Sequence, residues 1–286
     1  MPHLIEPVQS GNSLIRDIHQ TTVSTDQVAI WWLGQSGFAI KTSDMIFYID
    51  LYLSEHLTRK YAHSEKPHIR MTRAPIVGED LNDVRWLFAS HKHSDHLDPE
   101  SVPIILRNNP DARLILPLAE REYAISLGLP SEGLIATRGN ETLTIGSMQV
   151  HVIPSAHPEL AYSDDTGYPF LGYIFDVNDI CIYHSGDTLV YDGLAGYLNQ
   201  YQIDIALLPI NGTSERLKRL KIPPDMNITE ALELANCINK PMLIPHHYDM
   251  FTFNTVAIDD FVRQADAVSQ PYKVMQCGEK FIWQKL

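Results

Sequence analysis

Ser90-His91-Lys92-His93-Ser94-Asp95-His96-Leu97-Asp98-Pro99 brings four potential metal ligands, His91, His93, Asp95 and His96, into six residues. On an extended backbone residues 91, 93 and 95 project to one side, and a turn at 95 and 96 sends the last imidazole to a neighbouring point. One such loop can serve two adjacent ions. The apolar run Val84 to Ala89 before it reads as a buried strand, and Asp98-Pro99-Glu100 after it reads as a helix start, an N-cap followed by proline at the first helical position. The ligands therefore sit on a strand-to-helix loop, where rigid scaffolds carry chemistry.

Working outward, three further candidates follow apolar strand patterns. His157 comes after Met148 to Ile153, Asp187 after Ile180 to Tyr183, and His247 after Met242 to Ile244. Each leaves the carboxyl end of its strand, as a shared edge requires. Val28 to Leu33, Phe38 to Lys41 and Met45 to Asp50 read as an antiparallel meander, and more strands are expected at 113–116, 142–145, 171–177 and 203–210. Helices are expected at 9–20, 118–128, 227–239, where Asn227 and Glu230 have capping-box spacing, and 255–267. Strands outnumber helices, which predicts two packed sheets flanked by helices. No linker or repeat divides the 286 residues, so one domain is expected over 1–286, with a leader at 1–27 and an aperiodic flap insertion at 52–80.

Composition limits the partners. The formal charge of -13 disfavours broad attraction to nucleic acid, so an anionic ligand must be captured by a local basic patch. Residues 55–73 carry Arg59, Lys60, Lys66, Arg70 and Arg73 against only Glu55 and Glu65, and this segment reads either as a solvated loop or as a flap over an active site. Arg216, Lys218, Arg219 and Lys221 form a second basic cluster after Asn211-Gly212-Thr213. The segment from Met1 to Pro7 lacks the pattern of a secretory leader, and no apolar run is long enough to span a membrane. Cys181, Cys237 and Cys277 form no Cys-x-x-Cys pair, which fits a reducing cytoplasm. A homo-oligomer is left open.

The series His91, His93, Asp95, His96, His157, Asp187 and His247 resembles the metal-binding motifs of the metallo-β-lactamase superfamily. Within it the chain resembles the L-ascorbate-6-phosphate lactonase family, through Trp31-Trp32-Leu33-Gly34-Gln35-Ser36-Gly37, Tyr183-His184-Ser185-Gly186-Asp187, Gln202 to Leu207 and Ile244-Pro245-His246-His247-Tyr248-Asp249. The resemblance implies a four-layer αββα sandwich. It also implies two divalent ions, one held by His91, His93 and His157, the second by Asp95, His96 and His247, with Asp187 between them. Imidazole and carboxylate together suit Zn2+, Mn2+ or Fe2+.

Asp50 resembles an acid that orients the ligand loops, or is a strand-end turn carboxylate. His184 orients Asp187 or packs in the core, and His246 competes with His247 as the ligand. Arg59, Lys60, Arg70, Arg73, Asn211, Tyr248 and Asp249 are candidates for substrate contact, with Tyr248 open to a packing role instead. The expected activity is metal-dependent hydrolysis of a lactone or ester of a small anionic, sugar-like molecule, phosphorylated or not, in which a metal-bound hydroxide oriented by Asp95 attacks the acyl carbon. A dinuclear phosphodiesterase and a non-catalytic metal-bound ligand sensor are the alternatives.

Overall fold

The computed structural model describes residues 4–285, so Met1, Pro2 and His3 of the segment read above for a leader lie outside the described residues. β1 (Gln27–Gly34) divides its side chains between two apolar layers: Val28, Ile30 and Trp32 enter one buried cluster, Ala29, Trp31 and Leu33 the other. The two-residue period of a strand makes that division automatic, and burial on both faces explains why the run is apolar without interruption.

In the first half of the chain follow β2 (Gly37–Lys41), β3 (Ile46–Ile49), β4 (Trp86–Phe88), β5 (Arg113–Pro117), β6 (Leu134–Thr137), β7 (Glu141–Ile145) and β8 (Met148–Pro154). The second half supplies β9 (Leu171–Val177), β10 (Ile180–His184), β11 (Ile205–Pro209), β12 (Met242–His246) and β13 (Lys280–Gln284). They form a seven-stranded sheet in the order β13-β1-β2-β3-β4-β5-β6 and a six-stranded sheet in the order β12-β11-β10-β9-β8-β7. Phe47 and Phe88 of the first sheet meet Phe175 of the second at ring-centroid distances of 4.6 and 4.9 Å, closing the layer between them.

Helices Gly11–Gln20 and Ser101–Asn108 bury Leu14, Ile18, Val102 and Ile105 on the outer face of the first sheet, while Ile228–Cys237 and Ile258–Ala267 bury Ala231, Leu234 and Phe261 against the second. The result is an αββα sandwich of the metallo-β-lactamase type. β3 to β6 run parallel, as do β10 to β12, and β8 is antiparallel to β9, which is antiparallel to β10. β8, β10 and β12 therefore share a direction, and their carboxyl ends meet at one edge.

The expected meander is present in β1, β2 and β3. β6 and β13 were not expected; β13 pairs Gln284 with Gln27, a contact no local pattern announces. The expected helix start at Asp98 is corrected. The helix begins at Ser101, and the wholly buried Asp98 carboxylate accepts hydrogen bonds from Leu53 N (3.1 Å), Ser54 N (2.9 Å), Ser54 Oγ (2.8 Å) and Glu100 N (3.0 Å). It clamps the segment at 52–80 to the end of the histidine loop. That segment contains a short helix, His56–Lys60, and a 3-10 turn, Gly78–Asp80. The helix expected at 118–128 is a 3-10 turn followed by Arg121–Ser126. Among the described residues no helix is long and apolar enough to cross a membrane.

The capping box read at Asn227 is formed: Asn227 Oδ1 accepts from Glu230 N (3.0 Å), and Glu230 Oε2 accepts from Asn227 N (2.8 Å). Asn227→Ala is expected to cost about 0.5–2 kcal/mol, since it strands helix-start donors. Urea unfolding checks the value, and metal content should not change.

Candidate metal centre

Each element delivers its side chain at the shared edge for a local reason. β3 ends at Asp50, whose left-handed backbone (φ 49°) turns the carboxylate under the next loop. There Asp50 accepts from Ser90 N (2.7 Å) and Ser90 Oγ (2.7 Å), and lies 2.8 Å from His96 Nδ1. His96 is thereby fixed with Nε2 facing the opposite way, 3.1 Å from Asp187 Oδ2. A carboxylate on the far nitrogen of an imidazole fixes the ring and raises its basicity as a metal ligand. Gly186, at φ 59°, carries the chain into Asp187; a Cβ there would come within 2.7 Å of Leu171 O and Ser90 Cβ, so only glycine lets the two loops approach.

The side chains expected from the sequence do converge. His91, His93, His157 and Asp187 form one group with mutually close ligand atoms, and Asp95, His96 and His247 form a second. Ligand atoms held about 2.1 Å from one ion lie about 3.0–3.4 Å apart. His93 Nδ1 to His157 Nε2 is 3.3 Å, and His247 Nε2 to Asp187 Oδ2 is 3.4 Å. Asp187 Oδ2 is also 3.8 Å from His157 Nε2, so one carboxylate reaches both groups. His91 Nε2 and Asp187 Oδ1 are buried without hydrogen-bond partners, which fits donor atoms placed for cations.

The electrostatics agree. Burial opposes protonation of His96, but Asp187 and Asp50 outweigh it and hold the imidazole well above its ordinary pKa. Burial likewise opposes charge on His247, and Asp187 carries it up to about 9. Burial and the neighbouring His96 drive His91 down instead. His96, His157 and His247 are thus biased toward the protonated form beside the carboxylates, a charge balance that two dications would supply more completely.

His246 and His184 stack at 5.1 Å and are both fully buried. His184 accepts from Gly186 N at Nδ1 (3.1 Å) and donates to Ser36 O (2.9 Å), tying down the loop that leads to Asp187. His246 Nδ1 meets Ser36 Oγ at 3.1 Å, and His247 is the member of the pair that reaches the cluster.

Sequence reading missed Asp225. It lies 2.9 Å from His157 Nδ1, accepts from Asn211 Nδ2 (2.8 Å), and also groups with Asp187 and His247. Nothing local marks it: Ile222-Pro223-Pro224-Asp225 follows no strand. Phe170, 5.3 Å from both His91 and His157, was missed as the wall behind them.

A cavity of about 410 Å³ opens above the groups, lined among others by Asp95, Asp187, Tyr61, His68, Phe251 and Lys60. Lys60 is the one expected substrate contact that lines it. Arg70 is buried, with its guanidinium spent on the carbonyls of Thr72 (2.6 Å), Ser54 (2.6 Å) and Tyr52 (3.3 Å). Arg59 pairs with Glu100, and Arg73 with Glu6 at 2.9 Å. Asn211 stands behind Asp225. Tyr248 stacks on Trp32 at 4.6 Å and donates to Met275 O, which gives it the packing role, and Asp249 lies outside the lining. In place of the arginines, Lys66, Lys92 and Lys221 reach the cavity.

Residues 62–248 match the family described as the Beta-lactamase superfamily domain. The chain belongs to the metallo-β-lactamase superfamily. It is 24% identical over 309 aligned residues to the probable L-ascorbate-6-phosphate lactonase UlaG of Salmonella gallinarum, covering 96% of this chain and 86% of that protein. The isothiocyanate hydrolase from Delia radicum gut bacteria shares the fold with a TM-score of 0.72 and 17% identity, covering 90% of this chain and 99% of that one. Igni18, a metallo hydrolase of Ignicoccus hospitalis, does so with a TM-score of 0.66 and 19% identity, covering 91% and 100%. With its clusters and this membership, the superfamily chain is a metal-dependent hydrolase.

Asp225→Asn removes the negative acceptor behind His157 while keeping its shape. Metal affinity is expected to fall about 10- to 100-fold, read by titration calorimetry with Mn2+ or Zn2+, with the unfolding midpoint of the metal-free protein little changed.

Proposed function

We propose that the protein opens a lactone or related ester of a small anionic molecule at a centre of two divalent ions, Mn2+ or Zn2+, with Fe2+ also compatible. His91, His93 and His157 would hold one ion and Asp95, His96 and His247 the other, with Asp187 within reach of both groups. The donor set fits borderline and hard ions, since it contains imidazole and carboxylate but no thiolate. Bound there, the ions activate water near neutral pH and stabilise the charge that develops on the acyl oxygen.

The observation that carries the anionic substrate is the cavity mouth. Among the described residues Lys60, Lys66 and Lys221 line it without pairing to a carboxylate, whereas Lys92 is bound 3.1 Å from Glu120. Lys60 and Lys66 flank Tyr61, their ammonium groups 5.4 and 5.3 Å from its ring centroid. Free cations at the rim suit a carboxylate or phosphate on a substrate whose acyl group reaches the floor. Asp95, with its side chain 16% exposed the most open of the clustered carboxylates, borders the cavity and orients the attacking water. Asp50 and Asp225 orient His96 and His157. Likeness to a probable lactonase of a sugar-acid phosphate supports the acyl reaction, and the unpaired Cys181, Cys237 and Cys277 suit a cytoplasmic setting.

Elemental analysis of protein never exposed to chelator is expected to give two metals per chain, and fewer than one would sink the dinuclear reading. The protein should hydrolyse anionic lactones and leave simple phosphodiesters intact; the reverse preference would make it a phosphodiesterase. Metal loss in Asp187→Ala with no change in any hydrolysis would mark a sensor. Replacing Lys60 and Lys66 together by Ala should raise KM for an anionic lactone about tenfold or more while sparing a neutral one.

A further inference from the structure

Gln35 has no role in the ligand set above, yet its side chain ends inside it. The residue is fully buried and holds a left-handed backbone (φ 53°) in the turn between β1 and β2. That conformation is uncommon for a residue with a Cβ and is kept only where the surroundings enforce it. Here they do: Gln35 O accepts from Trp32 Nε1 (2.9 Å) and from His247 N (3.1 Å). The turn is thus fastened to the backbone of His247, and the side chain is directed at the site.

The terminal amide atom placed as Nε2 lies 2.7 Å from Asp95 Oδ2 and 3.0 Å from His247 Nε2. The 3.0 Å separation matches that of neighbouring donors around one ion, and the 2.7 Å separation is a few tenths of an ångström shorter. The other amide atom, Oε1, is buried with no partner. An N–H group directed at His247 Nε2 would occupy the lone pair that a metal ion needs. Nitrogen and oxygen of a glutamine amide are nearly indistinguishable by position and are assigned from their partners. Exchanging them puts an oxygen lone pair beside Asp95 and His247 and removes that conflict when an ion is bound.

We propose that Gln35 is a further ligand of the second metal site, contributing its carbonyl oxygen beside Asp95, His96 and His247 and biasing that site toward a hard, oxygen-preferring ion such as Mn2+ over Zn2+. A neutral oxygen raises the ligand number, which Mn2+ with its higher coordination uses and tetrahedral Zn2+ does not need. The inference rests on the two-ion reading above.

The test is Mn2+ and Zn2+ titration calorimetry on the full chain after chelator treatment and dialysis, with Mn2+ electron paramagnetic resonance counting bound ions. Wild type binding two Mn2+ establishes the premise; fewer than two ions with both Mn2+ and Zn2+ defeats the two-ion reading itself, and two Zn2+ with fewer than two Mn2+ overturns the Mn2+ bias proposed here. Given two, Gln35→Met is expected to weaken the second Mn2+ about 10- to 100-fold and Zn2+ less, while Gln35→Glu keeps or tightens it. If Gln35→Met fails to fold, Gln35→Asn takes its place, because asparagine accepts a left-handed backbone and its shorter side chain withdraws the oxygen. Unchanged Mn2+ affinity in the oxygen-withdrawn variant overturns the proposal. So does loss of Mn2+ in Gln35→Glu, which would show that the amide acts as a donor to Asp95.

Discussion

A carboxylate removed from water must find positive charge, and at one edge of this sandwich Asp50, Asp187 and Asp225 are all buried, with Asp95 close beside them. Five imidazoles, His91, His93, His96, His157 and His247, group with Asp95, Asp187 and Asp225, but an imidazole that stays neutral does not balance an anion. Much of the architecture follows from holding that charge in place. Asp187 and His247 need strands that end together, which the parallel run β10 to β12 provides, and His157 needs β8 to run the same way. Gly186 is a point of close approach, because Ser90 of the histidine loop and Leu171 at the start of β9 leave no space for a side chain.

The histidine loop was legible in the sequence because its ligands are local, and spacing alone is enough to bring them together. Asp187 and His247 were legible for a related reason: each follows an apolar run by a few residues, and the end of such a run is a known place in an α/β protein. Asp225 was not. Its position depends on a proline-containing loop folding back under His157, and no periodicity encodes that. β13 was hidden because its partner lies at the other end of the chain, and Asp98 was misread because its carboxylate serves the distant backbone of Leu53 and Ser54 as well as Glu100 N, while the helix begins only at Ser101. The basic segment shows the same limit. Its charge count was correct, but counting could not tell that Arg70 would spend its donors on backbone carbonyls while Lys60 and Lys66 stayed free.

These buried contacts give the segment at 52–80 a definite attachment to the centre. Asp98 holds its first residues and Arg70 knits Tyr52, Ser54 and Thr72 together. His68 is enclosed by Tyr61, Phe251 and Phe253 at 4.5, 4.9 and 4.7 Å. His68 Nδ1 donates to Lys66 O (2.8 Å), which fixes the backbone that carries Lys66. The lysines are therefore borne on a braced strip that packs against the loop following His247, so apolar packing positions the cavity rim.

That bracing reconciles the chain's charge of -13 with the anionic ligand proposed above. At physiological salt the screening length is about 8 Å, so carboxylates scattered over the far surface contribute little at the cavity mouth. The field there is set by what lies within that distance: unpaired ammonium groups at the rim and, on the floor, carboxylates whose charge is cancelled once two dications are held. An anion approaching a metal-loaded site would meet the rim lysines above a floor near neutrality, whereas one approaching the metal-free site would meet the partly exposed Asp95 below the lysines. Metal loading and anion capture are then linked through the same carboxylates, and each favours the other.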